Sequence, residues 1–317
     1  MNVKSKLLVE LSHIIEESIY MLKNYRWKRN ADGARPMLVF MVDRDFYTGG
    51  MADRFKGAVS AYAWCRQRNI PFRIRYVYPF ELADFLEPAS YDWRLGDGEY
   101  TTCIRDARLM YGRGEFARRL VRLKLKRQLH FYGNYDNLKY INETGGTDFT
   151  WGRLFKELFR PCRELEERLE QQRAAIGAPY VSAVFRFQNL LGDFREYSFK
   201  ALEDADAREK LIAGCLDSLE MLHKKHPEEL ILVTSDSASF MEKAAQLDYV
   251  RIIPGRVVHM GSNAGEEREV YMKSFVDFYM LSESRCIYGI CIGQMYPSEF
   301  PMYAAKVNDI PFERIVL

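Results

Sequence analysis

The sequence lacks the features that mark several common classes of protein. No stretch is long and apolar enough to span a bilayer, and charges interrupt the amino-terminal apolar residues, so we expect neither a membrane helix nor a signal peptide. The cysteines at positions 65, 103, 162, 215, 286 and 291 show no CxxC or Cys/His ligand spacing, which favours a reducing, cytoplasmic compartment over a disulfide framework. The glycine-rich fingerprints G-x-G-x-x-G and G-x-x-x-x-G-K-[ST] are absent.

A large excess of charge of one sign is missing as well. The chain carries 46 Lys and Arg against 44 Asp and Glu, a net charge of +2, so we expect no nucleic-acid partner. Aromatic residues are plentiful at 14%, which favours a folded protein with aromatic-lined clefts. The length of 317 residues suits one large or two ordinary domains.

The first half of the chain contains a βαβ pattern. After an amphipathic helix through 7–22, the sequence predicts a buried strand at 36–42, a helix over about 52–68 and a strand at 72–76. Gly49-Gly50 permits a tight turn before the second helix, whose amino end would offer N–H groups to an anion or hydroxyl. The same pair of glycines can also serve only to turn the chain.

Two carboxylates follow the first predicted strand. Asp43 and Asp45 have the D-x-D spacing with which some glycosyltransferases hold a divalent cation on a nucleotide-sugar. With Arg44 between them and no third carboxylate nearby, we favour their interpretation as turn residues, and we expect no metal site.

Two segments before residue 150 carry weaker signals. Residues 80–112 are irregular and predict surface loops where an acceptor could bind. A dense basic run lies within 116–134, which we predict to be helical, with Phe116, Leu120 and Leu123 facing inward. Its cations are Arg118, Arg119, Arg122, Lys124, Lys126 and Arg127. They suit either a solvated helix face, which the balanced overall charge favours, or contact with an anionic partner such as nucleic acid, a phospholipid surface or a lipid pyrophosphate.

The second half alternates strands and helices regularly. Strands at 180–187, 230–235, 249–254 and 286–290 are separated by helical segments, and a last strand ends the chain. This alternation predicts an α/β fold with a doubly wound parallel sheet. We place the boundary after two helices split at Pro161, which gives an acceptor-side α/β domain over 1–176 and a nucleotide-binding domain over 177–317.

The central stretch is Ala178–Asp193, because it places an arginine at the end of a buried strand. In open α/β sheets ligands bind at the carboxyl ends of strands, and the guanidinium fork of Arg186 matches phosphate oxygens. Equally, Arg186 could be a buried partner of a carboxylate such as Asp193. Asp236-Ser237 follows the next strand, where a carboxylate commonly holds a ribose or base.

Two further positions are candidates for contact with a ligand. Asp277 lies in an otherwise apolar helix, where a carboxylate is costly unless it is paired, binds a ligand or faces solvent. Ser298-Glu299 opens a helix, where Ser298 is either a plain cap or marks a helix start that meets a phosphate.

Four segments in order resemble the fucosyltransferase superfamily of GT-B glycosyltransferases, which includes nodulation and core α-fucosyltransferases and protein O-fucosyltransferases. The segments are GGMADRFKGAVSAYAWC (49–65), SAVFRFQNLLGD (182–193), LVTSDSASFMEKA (232–244) and SFVDFYMLSESRCIYGICIGQMYPSEFPMYAA (274–305). The chain departs from the family at Val184, where a His is usual, and at Glu299, where a neutral polar or small residue is common. The resemblance implies two Rossmann-like domains facing a cleft.

The resemblance also implies roles for individual residues. Arg186 corresponds to the arginine that contacts the donor β-phosphate, and Asp236 to the acidic residue near the nucleotide. Asp277 corresponds to the guanine-reading aspartate. The remaining donor-binding candidates are Gly49, Gly50, Ser237, Ser298 and Glu299.

The implied reaction is inverting, metal-independent transfer of fucose from GDP-fucose to a glycan hydroxyl. It needs no cofactor besides the GDP-sugar donor, and a peripheral membrane or lipid-linked acceptor at the inner face of the membrane is an open alternative. Asp53 is the candidate for the base, with Asp43 and Asp45 behind it. Two alternatives remain: a GT-B transferase with another nucleotide-sugar, or a non-catalytic binding module for an anionic polymer or surface, centred on 118–127.

Overall fold

The structure of the protein is a computed structural model. It describes residues 3–28, 35–44, 49–112, 120, 123–193, 200–257 and 267–317. The strands in chain order are β1 (Leu38–Val42), β2 (Phe72–Tyr76), β3 (Leu86–Pro88), β4 (Ala107–Gly112), β5 (Gln128–Gly133), β6 (Phe159–Pro161), β7 (Tyr180–Phe185), β8 (Leu230–Ser235), β9 (Val250–Ile252), β10 (Ile287–Cys291) and β11 (Phe312–Val316). The helices are α1 (Val3–Asn24), α2 (Met51–Gln67), α3 (Leu138–Gly145), α4 (Trp151–Leu158), α5 (Arg163–Ile176), α6 (Ala205–Lys225), α7 (Ala238–Ala244), α8 (Arg268–Ser282) and α9 (Phe300–Asn308).

The chain divides into two compact units. The first unit comprises Met1–Leu82 and Pro88–Arg160, and the second comprises Ala83–Glu87 and Pro161–Leu317. The division therefore falls earlier than the predicted boundary at 176/177. The reason is that α5 packs against α8 of the second unit, to which Arg168 is joined by an ion pair with Glu269 at 2.6 Å.

The first unit is built on a four-stranded parallel sheet in the order β2-β1-β5-β4. Strand β1 is buried at every position, as a strand covered on both faces must be. Helix α2 lies very close to this sheet at Gly57, where a Cβ would stand 1.8 Å from the carbonyl oxygen of Gly133. The predicted βαβ pattern is confirmed.

Strands β4 and β5 contradict the sequence-based predictions. Residues 107–112 fall in the segment predicted as irregular, and 128–133 fall in the predicted basic helix. Strand β5 is buried throughout, yet it contains the polar residues Gln128 and His130, which hide its apolar pattern. The helix prediction for the end of that segment is wrong because the chain becomes a central strand there.

The second unit is built on a five-stranded parallel sheet in the order β11-β10-β7-β8-β9. Strands β7, β8 and β9 follow one another outward on one side of the sheet, and β10 and β11 follow one another outward on the other side. The order thus reverses between β7 and β10, which is the topological switch point where doubly wound folds bind ligands. The predicted doubly wound parallel sheet is confirmed.

Candidate functional site

The carboxyl ends of β7 and β8 bring two predicted site residues together. Arg186 follows β7 and Asp236 follows β8, and the parallel register sets Phe185 beside Ser235 just before them. The Arg186 Nη1 atom lies 2.8 Å from Asp236 Oδ2, and the two side chains are 16% and 1% exposed. The cluster is therefore a nearly buried ion pair at the switch point of the second unit.

Asp236 also fixes the loop that follows β7. Its two carboxylate oxygens accept hydrogen bonds from the backbone N–H groups of Phe187 and Gln188, both at 2.8 Å. Gln188 has a φ of 55°, which an L-residue seldom adopts without such support. Burial raises the pKa of Asp236, while the Arg186 charge and these N–H groups act in the opposite direction. In this structure Asp236 positions Arg186 and the loop, and its contact with a ribose or base stays a prediction.

Asp193 binds Ser237 and Ser239, and it is not the partner of Arg186 that the sequence suggested. Its Oδ2 accepts hydrogen bonds from Ser237 Oγ at 2.8 Å and from the Ser239 N–H at 2.9 Å. Ser237 Oγ in turn accepts from the Phe240 N–H at 3.2 Å and so caps α7. Ser237 is buried and caps α7, and its contact with the donor stays a prediction.

The start of α9 lies at the same sheet edge as Arg186. The Tyr296 N–H donates a 3.1 Å hydrogen bond to the carbonyl oxygen of Arg186. Ser298 Oγ then accepts from the Phe300 N–H at 3.2 Å, and Glu299 occupies the N-cap position of the nine-residue helix. The structure thus brings Ser298 and Glu299 toward the backbone of Arg186, with Ser298 acting as a capping group.

Asp277 is not available as a surface carboxylate. It is 2% exposed on α8, and both of its oxygens accept from the ammonium of Lys273, one helical turn earlier and itself 7% exposed. Burial raises the pKa of Asp277, and the Lys273 charge opposes that shift. This pairing satisfies the carboxylate within the helix, and the contact of Asp277 with a guanine base stays a prediction.

The glycine turn of the first unit forms a helix start. Gly49 has a φ of +60°, and a Cβ there would meet Asp53 Oδ2 at 2.3 Å. The Gly50 N–H donates to Asp53 Oδ2 at 3.1 Å, while Asp53 Oδ1 pairs with Lys56 Nζ at 2.6 Å. These contacts give Gly49, Gly50 and Asp53 roles in starting α2, and the assignment of Asp53 as a base stays a prediction.

The D-x-D segment contributes to a tyrosine-rich cluster in the first unit. Asp43 accepts hydrogen bonds from Tyr132 OH at 2.9 Å and from Arg44 Nε at 3.2 Å, and Arg44 lies 3.9 Å above the Tyr20 ring. Asp45 lies outside the described residues. Among the residues that the structure describes, no three His, Cys, Asp or Glu side chains are grouped as metal ligands would be.

The basic run is only partly described. Arg118, Arg119, Arg122 and the predicted inward-facing Phe116 lie outside the described residues, whereas Lys124, Lys126 and Arg127 are exposed. Leu120 is buried, as expected, and Leu123 is partly buried. No described helix is long and apolar enough to cross a membrane.

Sequence reasoning missed Arg54, Gln188 and Lys273. Arg54 is 1% exposed and donates to Gly49 O at 3.1 Å and to Tyr76 OH at 2.7 Å, which fastens the glycine turn to the sheet. Lys273 stands four residues before Asp277, and that i, i+4 spacing was the signal that could have revealed their pairing. Nothing in the local sequence marks Gln188.

Comparison with known proteins identifies the fold of this chain. No protein-family model matches the chain, and no curated protein matches its sequence. A structure of an Arabidopsis thaliana FUT1 mutant in complex with GDP matches with a TM-score of 0.57 at 13% identity, covering 96% of this chain and 74% of that one.

Two structures of NodZ match similarly. A structure of NodZ α-1,6-fucosyltransferase soaked with GDP-fucose has a TM-score of 0.53 at 12% identity and covers 86% of this chain and 93% of that one. A selenomethionine form of fucosyltransferase NodZ from Bradyrhizobium gives 0.55 at 12% identity, with 86% and 92% covered. The chain therefore has the fold of GT-B fucosyltransferase structures, as the four sequence segments indicated.

Proposed function

We propose that the protein is an inverting, metal-independent glycosyltransferase that transfers fucose from GDP-fucose to a hydroxyl of a glycan or glycoconjugate. The observation that carries the proposal is the position of Arg186 at the switch point of the second unit, oriented by the buried Asp236. The solved structures with this fold include fucosyltransferases in complex with GDP or soaked with GDP-fucose.

The proposed role of Arg186 follows from the charge that the reaction creates. When the glycosidic bond of the donor breaks through an oxocarbenium-like state, the departing diphosphate gains negative charge. A guanidinium carries five N–H donors, so one group can hold Asp236 and contact a phosphate oxygen as well. Because Asp236 and the loop hold the cation in place beforehand, little reorganisation is needed as the charge develops.

The start of α9 supplies a second source of positive potential. In α9 the Phe300 N–H is taken by Ser298 Oγ and Pro301 has no N–H, so the contribution comes mainly from the peptide dipoles, which add a partial positive charge at a helix start. The hydrogen bond from Tyr296 to Arg186 holds this helix start beside the arginine. We infer that the diphosphate lies between Arg186 and the residues around Ser298 and Glu299, without a bridging metal.

The acceptor hydroxyl must lose a proton during the transfer. In this proposal Asp53 is the base, with Asp43 and Asp45 as the other candidates. The Asp53 side chain is 38% exposed, so a hydroxyl can approach it, although its contact with Lys56 must yield or be shared. The proposal assigns the acceptor to the first unit and the nucleotide to the second.

A donor-hydrolysis assay tests the proposed function. The full chain is incubated with GDP-fucose and, separately, with other GDP-, UDP- and CDP-sugars, each with and without EDTA. We expect release of GDP from GDP-fucose at a rate that EDTA does not change. Release from another donor alone would favour a different nucleotide-sugar, release from none would contradict the enzyme, and rescue of an EDTA-inhibited reaction by Mn²⁺ would contradict metal independence.

A further inference from the structure

Helix α1 presents several large apolar side chains to solvent between Leu11 and Leu22. Five large apolar residues between positions 11 and 22 are each at least two-fifths exposed: Leu11 48%, Ile14 40%, Ile15 57%, Ile19 47% and Leu22 58%. Their spacing of three or four residues places them on one side of a helix that repeats every 3.6 residues. The amphipathic pattern of the sequence is therefore turned outward, and we call these five residues the apolar stripe.

The side of the same helix that faces the protein carries two buried polar residues, together with the partly buried Tyr20 and Met21. His13 and Glu17 are 7% and 4% exposed, and Glu17 Oε1 accepts a 3.0 Å hydrogen bond from the Tyr111 N–H of β4. Turning the helix to bury the stripe would break this contact and move two buried polar side chains into a new environment, which is costly. The outward direction of the stripe is thus fixed by the packing of the first unit.

Exposed cations lie at the carboxyl end of the apolar stripe. A groove of about 550 Å³ runs from Met21 and Leu22 of α1 to the chain at 123–128. The exposed cations that line it are Arg108, Lys124, Lys126 and Arg127. Lys23, Arg26 and Lys28, at and just beyond the end of α1, are exposed too, while Glu16 is an exposed acid on the helix. Cations therefore predominate beside the stripe.

We propose that the apolar stripe and the cations beside it dock the first unit on the surface of an anionic lipid membrane. An exposed apolar helix face with lysine and arginine on its flanks suits the boundary between acyl chains and anionic headgroups. Trp27, 63% exposed just after α1, is of the residue type enriched at that boundary. The membrane surface matches both the apolar and the charged parts of this face.

A second copy of the chain would match only the apolar part. Leu11, Ile15 and Leu22, with Ser18 between the last two, have the four-three-four spacing of a coiled-coil seam. Two such faces packed in parallel, as in that seam, would also bring together the cations at their carboxyl ends, and like charges at close range repel. Charge complementarity therefore selects the anionic membrane over self-association.

Vesicle sedimentation with the full chain tests the docking surface. Vesicles of phosphatidylcholine alone are compared with vesicles that also contain phosphatidylglycerol, and we expect binding to the second kind that weakens with salt. For Lys124→Gln/Lys126→Gln the partition coefficient should fall about thirtyfold, since each lysine near an anionic surface contributes about 1 kcal/mol. The matched control is Lys210→Gln/Lys224→Gln, which removes two exposed lysines of the second unit and should leave binding unchanged.

The stripe is tested by Ile15→Ser/Leu22→Ser, with Met221→Ser on α6, 45% exposed, as its control. The stripe variant should lose vesicle binding while circular dichroism shows an unchanged fold, because both side chains are already exposed. Absence of binding to the anionic vesicles, or equal losses in variants and controls, would overturn the proposal. A dimer in sedimentation that the stripe variant abolishes, without vesicle binding, would assign the face to a second copy. None of these readouts uses a donor sugar, so they stand apart from the proposed activity.

Discussion

At the scale of single residues, the candidate site shows that one charge can be predicted and its partner cannot. An arginine after a buried strand has two ordinary explanations, a phosphate ligand or an ion pair. The structure contains the ion pair, but with Asp236 at the end of the neighbouring strand instead of Asp193 seven residues further on. The strand order of the sheet decides which carboxylate lies nearest to Arg186, and that order is not written in the local sequence.

Replacement of Arg186 should separate its structural role from its catalytic one. Arg186→Ala leaves Asp236 buried without its cation, so we expect a loss of about 3–5 kcal/mol in the free energy of unfolding. Turnover of GDP-fucose in the surviving folded protein should fall by about two to three orders of magnitude, the scale for one strong donor to a developing charge. Arg186→Lys keeps a cation for Asp236 but loses the planar fork. It should retain most of the stability and still lose turnover.

The paired measurement is urea unfolding and donor hydrolysis on the same protein samples. Lys210→Ala is the control, because Lys210 is an exposed cation on α6 of the same unit. This control should change neither the free energy of unfolding nor the rate of donor hydrolysis. If Arg186→Lys turned over donor at the wild-type rate, Arg186 would be a structural residue only, and the proposed diphosphate contact would fail.

The buried pair on α8 allows a direct test of guanine reading. Asp277→Asn leaves Lys273 buried without its anion and should cost about 3–5 kcal/mol of unfolding free energy. Lys273→Met/Asp277→Leu removes both charges and should be close to neutral in stability, since apolar groups of similar volume replace a desolvated ion pair. Because the carboxylate is satisfied by Lys273, we expect the double variant to bind GDP as tightly as the wild type. Calorimetry with GDP and UDP is the measurement; a loss of the preference for GDP would restore Asp277 as the residue that reads the base.

At the scale of helices and strands, the second unit could be predicted well and the first only in part. Most strands of the second unit are short apolar runs separated by helices, and their observed bounds fall within a few residues of the predicted ones. Strands β4 and β5 of the first unit lie within or beside charged and glycine-rich segments, so their patterns were obscured. In β5, burial of His130 and Gln128 is a tertiary effect, made possible by partners from distant parts of the chain.

The histidine in β5 should make the first unit sensitive to acid. Burial, and to a smaller extent the charge of Arg75, lowers the pKa of His130 from 6.5 to about 3. The unfolded chain therefore takes up this proton near pH 6.5, whereas the folded chain stays neutral until about pH 3. The stability that neutral His130 contributes is complete above pH 6.5 and is lost progressively as the pH falls. At pH 5.5 the loss should be about 1.4 kcal/mol.

Urea unfolding at pH 7.5 and pH 5.5, followed by tryptophan fluorescence, measures this loss. The variant His130→Gln should be less stable at pH 7.5 but should show a smaller decrease between the two pH values. His223→Gln in the second unit is the control and should leave the decrease unchanged. An identical decrease in wild type and His130→Gln would mean that His130 does not titrate on unfolding.

At the scale of the whole molecule, the sequence predicts the fold class better than it predicts the boundary between the two units. The alternating pattern and the four ordered segments were sufficient to predict a GT-B-like fold, which the comparisons support. The predicted boundary at 176/177 lies after α5, whereas the structure places α5 in the second unit. This helix is highly charged and has no apolar run, so its sequence does not show which unit it packs against. Its ion pairs with Glu269 and Glu283 of the second unit become visible only in three dimensions.

The distribution of tryptophan provides a way to find which unit holds the nucleotide. All four tryptophans, Trp27, Trp64, Trp93 and Trp151, lie in the first unit, so their fluorescence reports the unfolding of that unit alone, whereas far-ultraviolet circular dichroism reports both. A ligand that binds only the folded state stabilises it by RT ln(1 + [L]/Kd), about 2.7 kcal/mol at a hundredfold excess over Kd. If GDP binds at Arg186, this stabilisation belongs to the second unit.

We therefore expect GDP to raise the unfolding midpoint seen by circular dichroism by about 5–10 °C, the shift that this free energy gives in a domain of such size. The midpoint seen by tryptophan fluorescence should move less, and UDP at the same concentration should have a weaker effect on both. EDTA should leave the GDP shift intact, because Arg186 and the start of α9 hold the diphosphate without a metal in the proposed site. A GDP shift that is larger in the tryptophan signal than in circular dichroism would place the nucleotide in the first unit, and the assignment of the donor to the switch point beside β7 would be wrong.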